Sequence, residues 1–275
     1  MELVEMFRTI VLEFPYSLFG SMVVGTICAF LGVYIVAKRV VFFGAVLTQV
    51  SVLGLAVTFL PGLPLPHTVG SLVTTILAAM LLSRLLTGKH VPKDAVLGIV
   101  FVSTIALRTL VLQLAPHVEV SEIENLLRGD ILFVTPDLFY LMLGAFLLAI
   151  VVHLLFFKEF QYISFDAETA RTQGFNTGIW ELLFYGIAAT TISFATHMVG
   201  DMFVFGFLVI PAVAAMLLAR RVSQIFVVAV LIGALSPVIG LVLAFTFDLP
   251  SSPASVTVAL IVLITCWVPI LVRSR

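Results

Sequence analysis

Most of this sequence consists of long apolar segments that are separated by short polar stretches. A helix needs about 20 mostly apolar residues to cross a bilayer, and nine segments approach that length. Segments 41–60 and 200–219 are doubtful as full spans, because the first is polar at its centre and the second contains a proline. The sequence therefore predicts an all-α polytopic membrane protein with eight or nine transmembrane helices, as one domain over residues 1–275. The nine segments are residues 16–37, 41–60, 68–86, 94–115, 134–157, 179–197, 200–219, 224–247 and 254–272.

The composition excludes a soluble domain and favours a lipid bilayer as the surroundings of the chain. Only 11% of the residues are charged, whereas soluble domains have about 25%. The net charge is −1, so the chain has no basic face for nucleic acid. The phosphate-binding pattern GxxxxGK[ST] does not occur in the sequence, so we expect no ATPase site in this chain.

The distribution of basic residues predicts which loops face the cytoplasm. Inner loops of membrane proteins are rich in Lys and Arg. If the N-terminus lies outside and the nine segments alternate, all but three of the 14 basic residues fall in inner loops, the exceptions being Arg8, Arg108 and Arg128. This arrangement places segment 158–178 in the cytoplasm. The inner basic residues are Lys38, Arg39, Arg84, Lys89, Lys93, Lys158, Arg171, Arg220, Arg221, Arg273 and Arg275.

Segment 158–178 is the longest polar interruption among the apolar segments. Asp166 is a candidate helix N-cap, Glu168 follows in the first turn, Arg171 lies in the last turn, and Gly174 comes just after the end. Charges of these signs suit the two ends of a helix dipole. The pattern predicts a short helix outside the membrane that a partner grips. A solvated loop that only connects two spans is the alternative.

Polar residues at membrane depth are costly, and three of them cluster in segment 41–60. Thr48 and Ser51 are three residues apart and share a helix face, whereas Gln49 points about 100° away. One interpretation is that the three side chains line a polar transport path. The other is that they form hydrogen bonds between helices, which is common for Ser, Thr and Gln in membrane bundles.

His197 and Asp201 are the other candidate residues of a transport path. If a helix continues through Gly200, the two side chains face the same way and could bind a divalent ion or relay protons. A simple interfacial loop is the alternative. We expect Arg108 to extend outward to the membrane surface, or to pair with Asp201 or a partner subunit. An embedded enzyme is a rival class, but Ser193 and His197 lack a visible third catalytic group.

Six stretches of the sequence, in order across residues 20–260, carry a resemblance to one known family. They are LGVYIVAKRVVFFGAVLTQVSVLG at 31–54, DAVLGIVFVSTIALRTLVL at 94–112, LLRGDILFVTPDLF at 126–139, FDAETARTQGF at 165–175, MVGDMFVFGFLVIPAVAAMLLA at 198–219 and FDLPSSPASVTVAL at 247–260. By their order and spacing, these stretches resemble the membrane permeases of bacterial ABC importers for zinc, manganese and iron.

The resemblance implies an assembly in the bacterial plasma (inner) membrane. Two permease subunits, as a homodimer, would form the translocation path, and an external binding protein would deliver the substrate. The permease would bind no cofactor and catalyse no reaction, because ATP and magnesium would be held by two separate ATPase subunits that drive alternating access. The ATPase subunits would dock on the segment that resembles the coupling helix, with the contact residues Phe165, Asp166, Glu168, Arg171 and Gly174.

The sequence departs from this family at one important place. Where the family has an Asp and a His in the second span, this chain has Ala45 and Gln49. Alanine binds no metal, and an amide oxygen is a weak ligand for zinc-like ions. Either the ion site has moved to His197 and Asp201, or the cargo is a chelated metal or a small organic solute. A scaffold subunit without transport activity is a further alternative.

Overall fold

The computed structural model describes residues 8, 10–60, 66–86, 91–114, 131, 134–165, 169, 172, 174 and 176–273. Ten α-helices and no β-strand occur in these ranges. The helices are α1 Pro15–Ala37, α2 Phe42–Val57, α3 His67–Leu85, α4 Lys93–Gln113, α5 Pro136–Leu155, α6 Phe157–Phe165, α7 Thr177–Val199, α8 Asp201–Leu218, α9 Val222–Phe247 and α10 Ser251–Arg273.

Eight helices of the described ranges are long and apolar enough to cross a membrane. Only α2, with 16 residues, and α6, with 9 residues, are shorter. Helix α8 is continuous through Pro211, so segment 200–219 forms a complete span. The predicted class, an all-α protein with eight or nine membrane helices, is confirmed, and α2 is the helix that decides between the two numbers.

Helices α1 and α7 have the largest share of buried residues among the eight long helices, whereas α4 and α5 have the smallest. Helix α1 packs against α8 and α9, and α2 packs against α3 and α4. The crossing of α1 and α9 brings Gly25 next to the backbone of Gly233. Such close approach is typical of membrane bundles, in which packing rather than the hydrophobic effect holds helices together.

A single residue, Gly200, joins α7 to α8. Its backbone has φ 86° and ψ 164°, a conformation that is open essentially only to glycine. The helix therefore stops at Val199 and a new helix begins at Asp201. Since the condition of a helix running through Gly200 is not met, His197 and Asp201 belong to two different helices.

The short helix α6 packs against the bundle through aromatic side chains. Phe160 of α6 is fully buried. Its ring stacks on that of His153 at 4.5 Å and meets the ring of Trp180 at 5.9 Å. His153 is itself fully buried, and its Nδ1 atom forms a 2.8 Å hydrogen bond with the carbonyl oxygen of Ala149 in α5. Because that partner is a carbonyl oxygen, Nδ1 is the donor.

Candidate functional site

Three half-buried residues from three helices form a polar bridge, by which we mean Arg108, Gln49 and Asp201. Nη1 of Arg108 in α4 donates to Oε1 of Gln49 in α2 at 3.1 Å. Nε2 of the same amide donates to Oδ2 of Asp201 at 2.7 Å, at the start of α8. The Gln49 side chain thus connects a cation and an anion that lie on different spans.

The electrostatics of the polar bridge fix the orientation of the Gln49 amide. A guanidinium only donates hydrogen bonds and a carboxylate only accepts them, so the amide oxygen faces Arg108 and its nitrogen faces Asp201. Asp201 also accepts a 2.7 Å hydrogen bond from the backbone N–H of Met202. Its position at the N-terminus of α8 favours a negative charge there. The polar bridge therefore pairs each donor with an acceptor at its two contacts, and its formal charges balance.

Thr48 and Ser51 lie outside the polar bridge and are each 1% exposed. The Thr48 hydroxyl donates to the Ala45 carbonyl of its own helix at 2.9 Å. The Ser51 hydroxyl contacts that of Ser71 at 2.7 Å, and Ser71 contacts Ser193 at 2.9 Å. These serines tie α2 to α3 and α7, which is the hydrogen-bonding interpretation of Ser51.

His197 does not share a three-ligand metal site with Asp201 in the part of the chain that the structure describes. No group of three His, Cys, Asp or Glu residues there is arranged to hold an ion. His197 is half-buried, and its Nε2 atom has no hydrogen-bond partner among the described residues. A role of His197 and Asp201 in ion transport therefore stays a prediction.

The candidate coupling region follows α6. Phe165 ends that helix with 40% of its surface exposed. The hydroxyl of Thr172 donates to the Thr169 carbonyl at 2.9 Å, and Gly174 has φ 83°, as expected of a glycine after a helix end. The ATPase contact role of these residues stays a prediction. Three other predicted contact residues, Asp166, Glu168 and Arg171, lie outside the described residues.

Sequence reasoning missed how several residues pair. Arg108 was one of three exceptions to the charge rule, and its pairing with Gln49 crosses 59 residues of sequence. Ser71 carried no signal, because lone serines are common in membrane helices. Lys38 counted only as an inner-loop charge, yet it forms an ion pair with Glu181 at an N–O distance of 3.5 Å.

The comparison with protein families decides what kind of chain this is. The model of the ABC 3 transport family matches residues 14–269. The chain belongs to the ABC 3 transport family. This confirms the family resemblance, and with the eight long apolar helices it makes the chain a multi-pass permease subunit of an ABC transporter.

Relatives of this ABC 3 permease are similar over most of their length. A probable iron transport system membrane protein of Haemophilus influenzae is 28% identical over 228 residues, covering 83% of this chain and 79% of that protein. A manganese transport system membrane protein, MntC, of Listeria monocytogenes is 28% identical over 247 residues, covering 90% and 86%. The solved structure of PsaBC from Streptococcus pneumoniae in complex with Fab superposes with a TM-score of 0.83 at 22% identity, covering 96% of this chain and 95% of that chain. At that identity the likeness shows the fold.

Proposed function

We propose that this permease imports a divalent transition metal, with manganese, iron and zinc as candidates, by ATP-driven alternating access. Residues 1–275 form one transmembrane domain that pairs with a second copy around the translocation path. Two separate ATPase subunits, which hold ATP and magnesium, dock on the cytoplasmic segment 158–178. An external binding protein delivers the metal to the outer side of the bacterial inner membrane.

The family match over residues 14–269 carries this proposal. The names of relatives support the choice of cargo, since those proteins are described as iron and manganese transport system components. The polar bridge supports a transport role of the second span, because it places a polar side chain of that span between charged residues of two other spans. The transport-path candidates are Thr48, Gln49, Ser51, His197 and Asp201.

A chelated metal or another small solute is the second candidate cargo, and the polar bridge is the observation that favours it. The guanidinium of Arg108 attracts the carboxylate groups of a chelator, whereas a bare dication is attracted by Asp201 alone and repelled by Arg108. Arg108 and Asp201 together offer a donor and an acceptor to a ligand that carries both signs of charge.

Stimulation of ATP hydrolysis by one ion is the expected result for a metal importer. The permease is purified with its ATPase and its binding protein and placed in lipid nanodiscs. ATP hydrolysis is measured while Mn²⁺, Fe²⁺ and Zn²⁺ are titrated in turn, and bound metal is read by mass spectrometry. Hydrolysis that responds to no free ion but responds to ferric citrate identifies a chelate as the cargo. ATP hydrolysis that responds neither to a free ion nor to ferric citrate contradicts metal import.

Reversal of the charges in the coupling segment is expected to separate the ATPase from the permease. In a Glu168→Lys, Arg171→Glu variant, charge pairs across the interface become repulsive, and we expect ATPase co-purification to fall roughly tenfold. The permease itself stays folded, because the changed residues belong to a cytoplasmic segment. Co-purification and the thermal unfolding profile are measured on the same preparations.

The control for this variant is Arg220→Glu, which reverses an exposed charge at the turn between α8 and α9. We expect this control to retain the ATPase. Equal retention in the Glu168 and Arg171 variant would show that the segment is a connecting loop.

A further inference from the structure

One buried cation contacts both α6 and α7, the helices on either side of residues 166–176 in the candidate coupling segment. Lys38 is the residue after the end of α1, and its side chain is 6% exposed. Its Nζ atom donates to the carbonyl oxygen of Ile163 near the end of α6 at 3.1 Å. The same atom lies 3.5 Å from Oε1 of Glu181 in α7. We call Lys38, Ile163 and Glu181 the Lys38 junction.

The Lys38 junction lies at the segment that is proposed to dock the ATPase. Helix α6 ends at Phe165, and α7 begins at Thr177, so the two helices lie on either side of residues 166–176, the middle of the segment 158–178 that is proposed to dock the ATPase. Lys38 contacts the helix before this segment and the helix after it. The Lys38 side chain therefore connects both ends of the segment to the turn between α1 and α2.

The backbone of that turn is itself held in place. The N–H of Arg39 donates to the Val36 carbonyl at 3.0 Å, and the N–H of Val40 donates to the Ile35 carbonyl at 3.2 Å. These two bonds, with Arg39 at φ 57°, form a Schellman motif that closes α1. The backbone that carries Lys38 is thus fixed by hydrogen bonds, so a displacement of its amine moves the adjoining helices as well.

The surroundings of the amine suit a fixed contact. It lies 5.7 Å from the ring centre of Phe184 and 5.6 Å from that of Tyr185, both in α7. Burial lowers the pKa of Lys38, and Glu181 opposes this shift. A buried ion pair contributes little net stability compared with an apolar replacement. The burial of this charge is therefore better explained if Lys38 fixes the relative positions of α6 and α7 than if it stabilises the fold.

The turn also leads directly to the polar bridge. Helix α2 begins at Phe42, and Gln49 follows two turns later, about 10 Å along the helix axis. Gln49 in turn contacts α4 and α8 through Arg108 and Asp201. The contacts therefore run from the docking segment through Lys38 and α2 to the residues of the candidate transport path.

We infer that Lys38 is a positioning residue that transmits movement of the ATPase docking segment to α2 and the polar bridge. This inference rests on the proposed function, because it requires an ATPase that drives the permease. Lys38 contacts neither ATP nor cargo. Its role is to make α6, α7 and the start of α2 move as one unit.

The test compares Lys38→Met with Lys38→Arg in proteoliposomes that contain the complete complex. Transport of the ion that stimulates wild-type hydrolysis, assayed as Mn²⁺, Fe²⁺ or Zn²⁺, is measured per ATP hydrolysed. Methionine keeps an apolar stem of similar length but loses the donor and the charge. We expect roughly tenfold less transport per ATP, with ATPase docking and unfolding temperature retained. Arginine restores most of the ratio, because it can still donate to Ile163 and pair with Glu181.

The matched control is Arg39→Gly, which removes the neighbouring, exposed positive charge and suits the left-handed backbone. We expect this control to transport as much ion per ATP hydrolysed as the wild type. A Glu181→Gln variant loses the ion pair but keeps the Ile163 bond, so its loss is smaller than that of Lys38→Met.

The outcomes separate this inference from the proposed function. If folded Lys38→Met transports as much ion per ATP as the wild type, Lys38 has no positioning role. The same conclusion follows if Lys38→Arg fails to restore transport per ATP. If Lys38→Met does not fold, the Glu181→Gln variant decides. Wild-type transport per ATP in that variant overturns the positioning role of Lys38, and reduced transport per ATP supports it. A wild-type complex that neither hydrolyses ATP nor moves metal contradicts the proposed function itself.

Discussion

Replacement of Gln49 by leucine is expected to abolish uptake and to destabilise the permease. The leucine side chain fills similar space but offers no hydrogen bond to Arg108 or Asp201. Each charged group then loses a bond worth about 1.5 to 3 kcal/mol, and water replaces part of it because the site is half-buried. We expect the free energy of unfolding to fall by about 2 kcal/mol. Reversible unfolding in mixed micelles and metal uptake in proteoliposomes measure the two effects.

Removal of both charges separates the structural effect of the polar bridge from its proposed role in transport. In a triple variant, Gln49→Leu with Arg108→Met and Asp201→Leu, no unpaired charge remains. Apolar replacement of a buried ion pair is often neutral, so we expect stability to return while uptake stays lost. The control is Gln224→Leu, an exposed position at the start of α9. Normal uptake in Gln49→Leu would exclude the polar bridge from the transport path.

The membrane helices could be predicted from the sequence because bilayer thickness sets their length. All nine apolar segments coincide with helices, and the ends differ by a few residues. The end of α7 was harder to predict. Gly200 is compatible with a continuing helix as well as with the positive φ that it adopts, so nothing local decided between the two. Contacts with the rest of the bundle, such as the 2.9 Å bond from Ser252 to the Val199 carbonyl, settle it.

The members of the polar bridge were easier to find than their pairing. Gln49 and Asp201 stood out because polar side chains are costly in a membrane. Their contact spans 152 residues of sequence, and no local pattern encodes such a distance. Arg108 illustrates the same limit, because a long side chain near a membrane surface has several ways to be solvated. For Ser51, the choice between lining a path and bonding another helix depended on Ser71, which only the fold brings near.

The Lys38 junction lay beyond sequence reasoning for a different reason. Membrane topology alone explains basic residues in inner loops. The sequence therefore does not show which of them has a further role. Glu181 gives no separate signal either, because an acidic residue near a helix N-terminus suits the helix dipole without any partner. Their partnership became visible only when the folded chain placed the end of α1 against α6 and α7.

Replacement of Gly25 by alanine is expected to prevent normal packing of α1 against α9. The added methyl group would overlap the carbonyl oxygen of Gly233 and come within 2.9 Å of Cγ of Pro237. A backbone carbonyl cannot turn aside as a side chain can, so the two helices must separate. We expect a loss of about 3 kcal/mol or more. The yield of folded monodisperse protein and its unfolding free energy measure this loss.

Gly186→Ala is the matched control, since a Cβ at that position in α7 meets no heavy atom within 4 Å. Alanine has the higher helix propensity, so this variant should be as stable as the wild type or up to about 1 kcal/mol more stable. Equal behaviour of the two alanine variants would mean that α1 and α9 do not cross at Gly25. A loss confined to Gly25→Ala supports close backbone packing as the force that holds α1 at the centre of the bundle, because lipid supplies no hydrophobic drive between spans.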